Sequence, residues 1–389
     1  MEENKIFEKN HLSEKDSKFE DIRPYRDEEV PEAMKRITDS VSFPMMALYV
    51  FPDDTVEKTK ERVRKYKNSH EFQHDTMSTL NSQVIKRSMT EFTYRGLEQI
   101  DKNKAYLYVS NHRDIMLDSS LLQYVLDKNG YDTTEITFGA NLMMNPLIVD
   151  IGKSNKMFKV ERPGGSIKEF YRQETHLSEY IRYVITERQQ SVWIAQRNGR
   201  TKDGKDKTDQ GIIKMFCMSK REDKIGALKE LNIVPVSISY EWESCDILKT
   251  LELYESQFAN YTKKPGEDLT SILTGITQEK GRVHIEICKP IEPEELDKYE
   301  NLTNNEYHKE VAKLIDSRID GEYRLYPTNY IAYDILHGTQ KHKNRYTKEE
   351  KDKFIERLQQ LERYDTCDIE KLKDIFLGIY SNPVDNKLK

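Results

Sequence analysis

The chain has 389 residues, of which 36% are hydrophobic and 33% charged, with a formal net charge of −6. That length can bury a substantial core in one large or two modest domains, and the acidic balance argues against a polyanion binder, so no nucleic acid is expected as a partner. Its four cysteines, Cys217, Cys245, Cys288 and Cys367, lie far apart with no Cys-x-x-Cys pair, which argues against a disulfide framework or a zinc site and suits a reducing, cytoplasmic setting.

Residues 1–25 are dense in charge and predict a flexible N-terminus without an apolar signal core. Residues 26–89 read as a helical N-terminal region. Glu28–Ser40 spaces Val30, Met34, Ile37 and Val41 for one helix face, and a second, longer helix is predicted over Thr55–Met89. The longest strongly apolar run, Val41–Phe51, is interrupted by Pro44. It falls far short of the ~20 residues a membrane span needs, so any membrane contact is expected to be reversible and at the surface. The basic run Lys58–Lys67 reads as a solvated helix face, with contact to anionic lipid as the alternative.

Residues 90–292 alternate between the two periodicities. Strands are predicted at Phe92–Leu97, Ala105–Val109, Glu135–Phe138, Met157–Val160, Ser191–Ala195, Ile233–Tyr240 and Arg282–Cys288, with helical patterns such as Ser166–Gln189 and Gln210–Lys220 between them. That alternation predicts an α/β domain with a mostly parallel central sheet flanked by helices. Residues 293–389 return to helical patterns at Asn305–Arg318, Tyr330–Leu336, Lys348–Tyr364 and Ile369–Tyr380.

The stretch richest in chemistry is Ser110-Asn111-His112-Arg113-Asp114-Ile115-Met116-Leu117-Asp118. It joins a predicted strand to an apolar helical run from Ile115 to Leu126. Ligands of open α/β sheets bind at such strand ends. A histidine there with a carboxylate on its second ring nitrogen is a general base with an orienting group. Asp118 and Asp114 both qualify, and Asp114 also suits the cap of the following helix.

This segment resembles the first block of the glycerol-phosphate acyltransferases, where an Asn-His pair precedes an Asp. The family has four residues between His and Asp; here five intervene. Three further segments follow in the family's order: Phe158-Lys159-Val160-Glu161-Arg162, then Val192–Thr201 with Gly199-Arg200, then Val234-Pro235-Val236 leading to Ser239-Tyr240-Glu241. The third block lacks the family's Glu, and Gln196 or Arg197 stands in its place. The likeness covers about residues 90–290.

The resemblance implies an O-acyltransferase of phospholipid synthesis. His112 would be the base, with Asp118 (alternatively Asp114) orienting it. Arg162, Gly199 and Arg200 would hold the phosphate of a glycerol 3-phosphate acceptor, with lysophosphatidate as the alternative acceptor. Phe158, Val234 and Pro235 would line an acyl channel. The donor would be an acyl thioester, acyl-CoA or acyl carrier protein, with no metal or bound cofactor. The extra residue and the missing Glu keep a second possibility open, a non-catalytic lipid-binding protein with a decayed site. The polar flanks leave a third, a helical scaffold. The sequence has no Gly-x-Ser-x-Gly elbow, nucleotide-binding glycine fingerprint or His/Cys zinc spacing.

Overall fold

The computed structural model describes residues 16–143, 145–161, 165–259 and 261–388. At its centre are seven strands: β1 (Met89–Arg95), β2 (Leu107–Ser110), β3 (Glu135–Gly139), β4 (Met157–Val160), β5 (Val192–Ala195), β6 (Ile233–Tyr240) and β7 (Gly281–Ile287). They form one sheet in the order β1-β7-β6-β2-β5-β3-β4. Every neighbouring pair is parallel except β6–β7, which is antiparallel. The fold is α/β, with helices on both faces of a mostly parallel sheet, as the alternating pattern predicts.

Strand side chains alternate between faces, and the core divides accordingly. Leu107, Val109, Val192, Ile194 and Ile233 pack on one face, with residues of helices Ile167–Thr186, Gln210–Cys217 and Asn304–Glu322. Tyr108, Trp193, Val234, Val236 and Ile238 pack on the other, with helix Leu117–Lys128. Because β2, β5 and β6 lie at the centre, all their residues are buried. They read as nearly continuous apolar runs for that reason.

Two smaller apolar clusters flank the sheet. One joins Val30, Met34, Ile37, Phe43, Ala47 and Tyr66 of the N-terminal helices. The other joins Trp242 and Ile247 to Ile331, Phe354, Phe376 and Tyr380 of the C-terminal helices.

Three details depart from the sequence reading. Residues 16–25 are packed rather than frayed: Phe19 is buried against Tyr180 and Tyr183, and Ile22 O accepts from Lys159 N. Residues 1–15 lie outside the described residues. The predicted helix Thr55–Met89 is broken. Val56–Val63 ends before Tyr66, which turns into the core, and Asn68 restarts the chain by capping Glu71 N. A π-helical segment, Phe72–Met77, then leads into Ser78–Ser88. Val41 lies past the end of helix Val30–Asp39 and is 98% exposed, not on its buried face.

Candidate active site

β2 ends at Ser110, and the next four residues turn across the sheet edge. Asn111 is fully buried and ties this turn to β6: its Oδ1 accepts from Ile238 N (2.8 Å) and its Nδ2 donates to Ile238 O (2.9 Å). His112 follows with 14% of its side chain exposed, and its carbonyl accepts from Thr201 N at 2.6 Å. Parallel pairing of β2, β3, β4, β5 and β6 brings their carboxyl ends to this same edge.

The His112 ring meets Asp118, with Nδ1 2.9 Å from Oδ2. Asp118 carries no exposed surface. Its Oδ2 also accepts from Arg113 N (2.6 Å) and Asp114 N (2.8 Å), and its Oδ1 accepts from the Tyr240 hydroxyl (2.8 Å). Burial, and then the Asp118 and Asp114 carboxylates, push the Tyr240 hydroxyl well above its ordinary range, so it stays a donor. A carboxylate on Nδ1 favours the tautomer with its proton there, leaving Nε2 as an acceptor. His112 itself lies on a cleft wall.

The extra residue between His112 and Asp118 is absorbed ahead of the helix, not by a bulge in its first turn. Residues 114–116 form a bend and the helix starts at Leu117. Asp114 serves that bend: its Oδ1 accepts from Met116 N (2.9 Å) and Leu117 N (2.8 Å), as helix-capping carboxylates do. Its Oδ2 accepts from Ser244 Oγ. Gly275 passes so close that a Cβ there would sit 2.2 Å from Asp114 Oδ2.

The cleft has a volume of about 920 Å³, within the range of small-molecule sites. Ile194, Leu177, Ile212, Met215 and Met218 give it an apolar wall, and Trp193 stands edge-on to the His112 ring at 5.9 Å. Arg197, Arg200 and Lys214 line it without an ion pair among the described residues. Arg200 is buried; its Nη2 donates to Ser271 Oγ at 3.3 Å, while Nη1 has no partner among the described residues. Lys202 and Lys263 are neutralised by Glu252 and Asp268. Glu174 also lines the cleft, and burial followed by the nearby Asp209 carboxylate pushes its carboxyl up.

Of the sequence-derived site residues, the structure brings His112, Gly199 and Arg200 onto this cleft, with Asp118 directly behind His112. Gly199 has φ of +75°, which only glycine adopts without strain, and open space around it. Arg162 lies outside the described residues. Phe158, Val234 and Pro235 are not on the cleft wall. Phe158 is buried against Tyr180, Val234 packs on the opposite sheet face, and Pro235 pairs with Val109 inside the sheet. Gln196 is fully buried away from the wall, and neither side-chain polar atom has a partner among the described residues. Ser271 and Asp268 come from helix Glu267–Thr277, a segment the sequence reading passed over.

A family model described as Acyltransferase matches residues 91–239. That span runs from within β1, whose first two residues it omits, through all but the last residue of β6, and holds both members of the His112–Asp118 pair. Residues 91–239 are thus similar to the acyltransferase family. Among solved structures, the chain is similar to the 1-acyl-sn-glycerophosphate (LPA) acyltransferase PlsC from Thermotoga maritima. The match has 16% identity and a TM-score of 0.36, and covers 73% of this chain and 92% of that one. No curated protein matches the sequence. The matched segment supplies the His112–Asp118 pair and most of the cleft; Leu253, Lys263 and Asp268 from beyond residue 239 complete its wall.

Proposed function

We propose that the protein moves a fatty acyl group from a thioester carrier, acyl-CoA or acyl carrier protein, to a hydroxyl of glycerol 3-phosphate. One observation carries this reading: an imidazole held by a buried carboxylate at 2.9 Å stands on a cleft that also contains an arginine with a nitrogen unpartnered among the described residues. His112 Nε2 takes the hydroxyl proton as the acceptor oxygen attacks the thioester carbonyl carbon. The C–O bond forms, a tetrahedral oxyanion collapses, and the C–S bond breaks. His112 then returns its proton to the thiolate. Asp118 stabilises the imidazolium formed on the way.

Arg200 binds the acceptor phosphate through its fork. Arg162 is proposed beside it, from the sequence resemblance alone. Gly199 holds the loop shape that presents Arg200. The acyl chain lies along Ile194, Leu177, Ile212, Met215 and Met218. That apolar wall also favours a second reading, in which lysophosphatidate is the acceptor. Incubation with labelled acyl-CoA and each acceptor decides between them by which product forms. Thioester binding without any product would support the non-catalytic lipid-binding alternative instead.

The site of action is proposed to be the cytoplasmic face of a membrane, held reversibly. Among the described residues, no helix is long and apolar enough to cross a membrane. Helix Phe43–Val50 and the turn before it expose Val41, Met45 and Leu48, the last two at 65% and 52%. This apolar surface supports the contact better than the basic run does, because Lys58, Lys60, Arg62 and Arg64 already pair with Asp54 and Asp39.

A further inference from the structure

The residue that follows His112 is a fully buried arginine. Arg113 donates to Asp206 Oδ2 through Nη2 (2.5 Å) and Nε (3.1 Å), and to Glu243 Oε2 through Nη1 (3.1 Å). Its guanidinium lies 5.2 Å from the Tyr323 ring centre. Lys249, also buried, bonds Glu243 and donates to the Arg113 carbonyl at 2.7 Å. Two cations and two carboxylates are thus enclosed together. Burial alone would ease the Arg113 proton off, but Asp206, Tyr323 and Glu243 hold the group well above its ordinary range, so it stays charged.

An enclosed charge network is a poor source of stability, because desolvation offsets most of its attraction. What it does supply is geometry. Asn111 Nδ2 also donates to Asp206 Oδ2, at 3.2 Å. The two residues flanking His112 are therefore anchored to one carboxylate oxygen. The Arg113 backbone N–H, in turn, donates to the same Asp118 oxygen that faces His112. The longer interval between His112 and Asp118 runs through a bend over residues 114–116 that precedes the helix starting at Leu117, so its shape depends on restraints from outside the helix. Asp206 belongs to the loop that also carries Arg200, and the C-terminal helix braces that loop: Asn382 donates to Asp203 O at 2.7 Å. At Gly204, φ is +77°, and a Cβ would fall 2.2 Å from Ile379 O.

We propose that Arg113 is a positioning residue for acyl transfer. Its side chain, held by Asp206 and Glu243, fixes the His112–Asp118 contact and couples it to the Arg200 loop. Glu243, Lys249 and Tyr323 lie beyond residues 91–239, so the region after the family segment helps set the geometry of the base. This rests on the reading of His112 as that base.

The test uses Arg113→Lys and the charge-balanced double variant Arg113→Met/Asp206→Asn, each checked for folding by circular dichroism. Turnover is measured with acyl-CoA and glycerol 3-phosphate. The Nδ1 proton of His112 is followed by NMR on protein labelled with 15N-histidine, assigned by its loss in His112→Gln. The double variant should fold, lose about 10²-fold in kcat with KM values changed less than about threefold, and shift or lose the His112 proton signal. Arg113→Lys keeps the charge but not the fork, and should lose about tenfold. Should the double variant fail to fold, Arg113→Lys decides the matter alone. A folded variant with an unchanged His112 signal and wild-type kcat overturns the proposal. If His112→Gln itself turns over normally, the reading of His112 falls instead.

Discussion

Tyr240 donates its hydroxyl to Asp118 Oδ1 at 2.8 Å, on the carboxylate oxygen opposite the one that meets His112. With the Arg113 and Asp114 amides on Oδ2, Asp118 is held by four donors including the imidazole, and its direction is set before any substrate arrives. Asp114 faces the helix start instead. The two carboxylates therefore have separable roles. Asp118→Asn should cost far more turnover than Asp114→Asn, because the amide cannot stabilise an imidazolium. Asp114→Asn should chiefly lower stability, by about 0.5–2 kcal/mol as for a weakened cap. Parallel urea titrations and rate measurements on both variants check this; the opposite ranking in rate would transfer the orienting role to Asp114.

Arg200 should act on the acceptor. Arg200→Lys removes the bidentate fork while keeping a positive charge. The KM for glycerol 3-phosphate should rise by roughly tenfold, a loss of about 1.4 kcal/mol in binding, with the donor KM nearly constant. A change confined to the donor KM would mean that Arg200 meets the carrier and not the acceptor phosphate.

Lys280 gives the fold an alkaline signature. It is fully buried, donating to Gln278 O (2.7 Å) and Ser88 Oγ (3.1 Å). Burial pulls its ammonium down to about 8, against the opposing Asp114 and Cys245. Below that pH both states hold the proton and the burial penalty is fully present. Between about 8 and the unfolded value of about 10.4, the unfolded chain binds more protons than the folded one, so stability rises with pH. The rise is at most roughly 3 kcal/mol. Lys280→Met should flatten it, as read from urea midpoints across that window; an identical slope in both proteins would show that another group is responsible.

Membrane contact should run through apolar surface. Met45→Glu and Leu48→Glu, on an exposed helix face, should each weaken cosedimentation with phospholipid vesicles. Salt should have a smaller effect, since exposed charges are screened over ~10 Å at 0.1 M. Binding that vanishes with salt and ignores both substitutions would return the role to Lys58–Lys67.

The sheet was legible in the sequence because its strands are short apolar runs punctuated by turns, and all seven appear within a few residues of the predicted positions. What local pattern could not show was which side of the sheet, and which end, each residue would serve. Val234 and Pro235 look like channel lining in a linear reading, yet they sit within β6, between β2 and β7. The break near Tyr66 was hidden because the charged residues around it suit a helix on either side. The Arg113 network was illegible for a different reason. Its partners, Asp206 and Glu243, lie 93 and 130 positions away, and a buried arginine has the same local signature as an exposed one. Helix Glu267–Thr277 has apolar residues at a helical spacing, Leu269, Leu273 and Ile276, so a signal was present there.

The account stands on His112 as the base for acyl transfer. The most direct measurement is the rate at which purified wild type and His112→Ala convert labelled acyl-CoA and glycerol 3-phosphate to acylated product, with folding of both verified by thermal melting. The wild type should turn over, and His112→Ala should retain its fold and lose about 10²–10⁴-fold in rate. A folded His112→Ala protein with near wild-type turnover, or a wild type that binds the thioester and never transfers its acyl group, would contradict it.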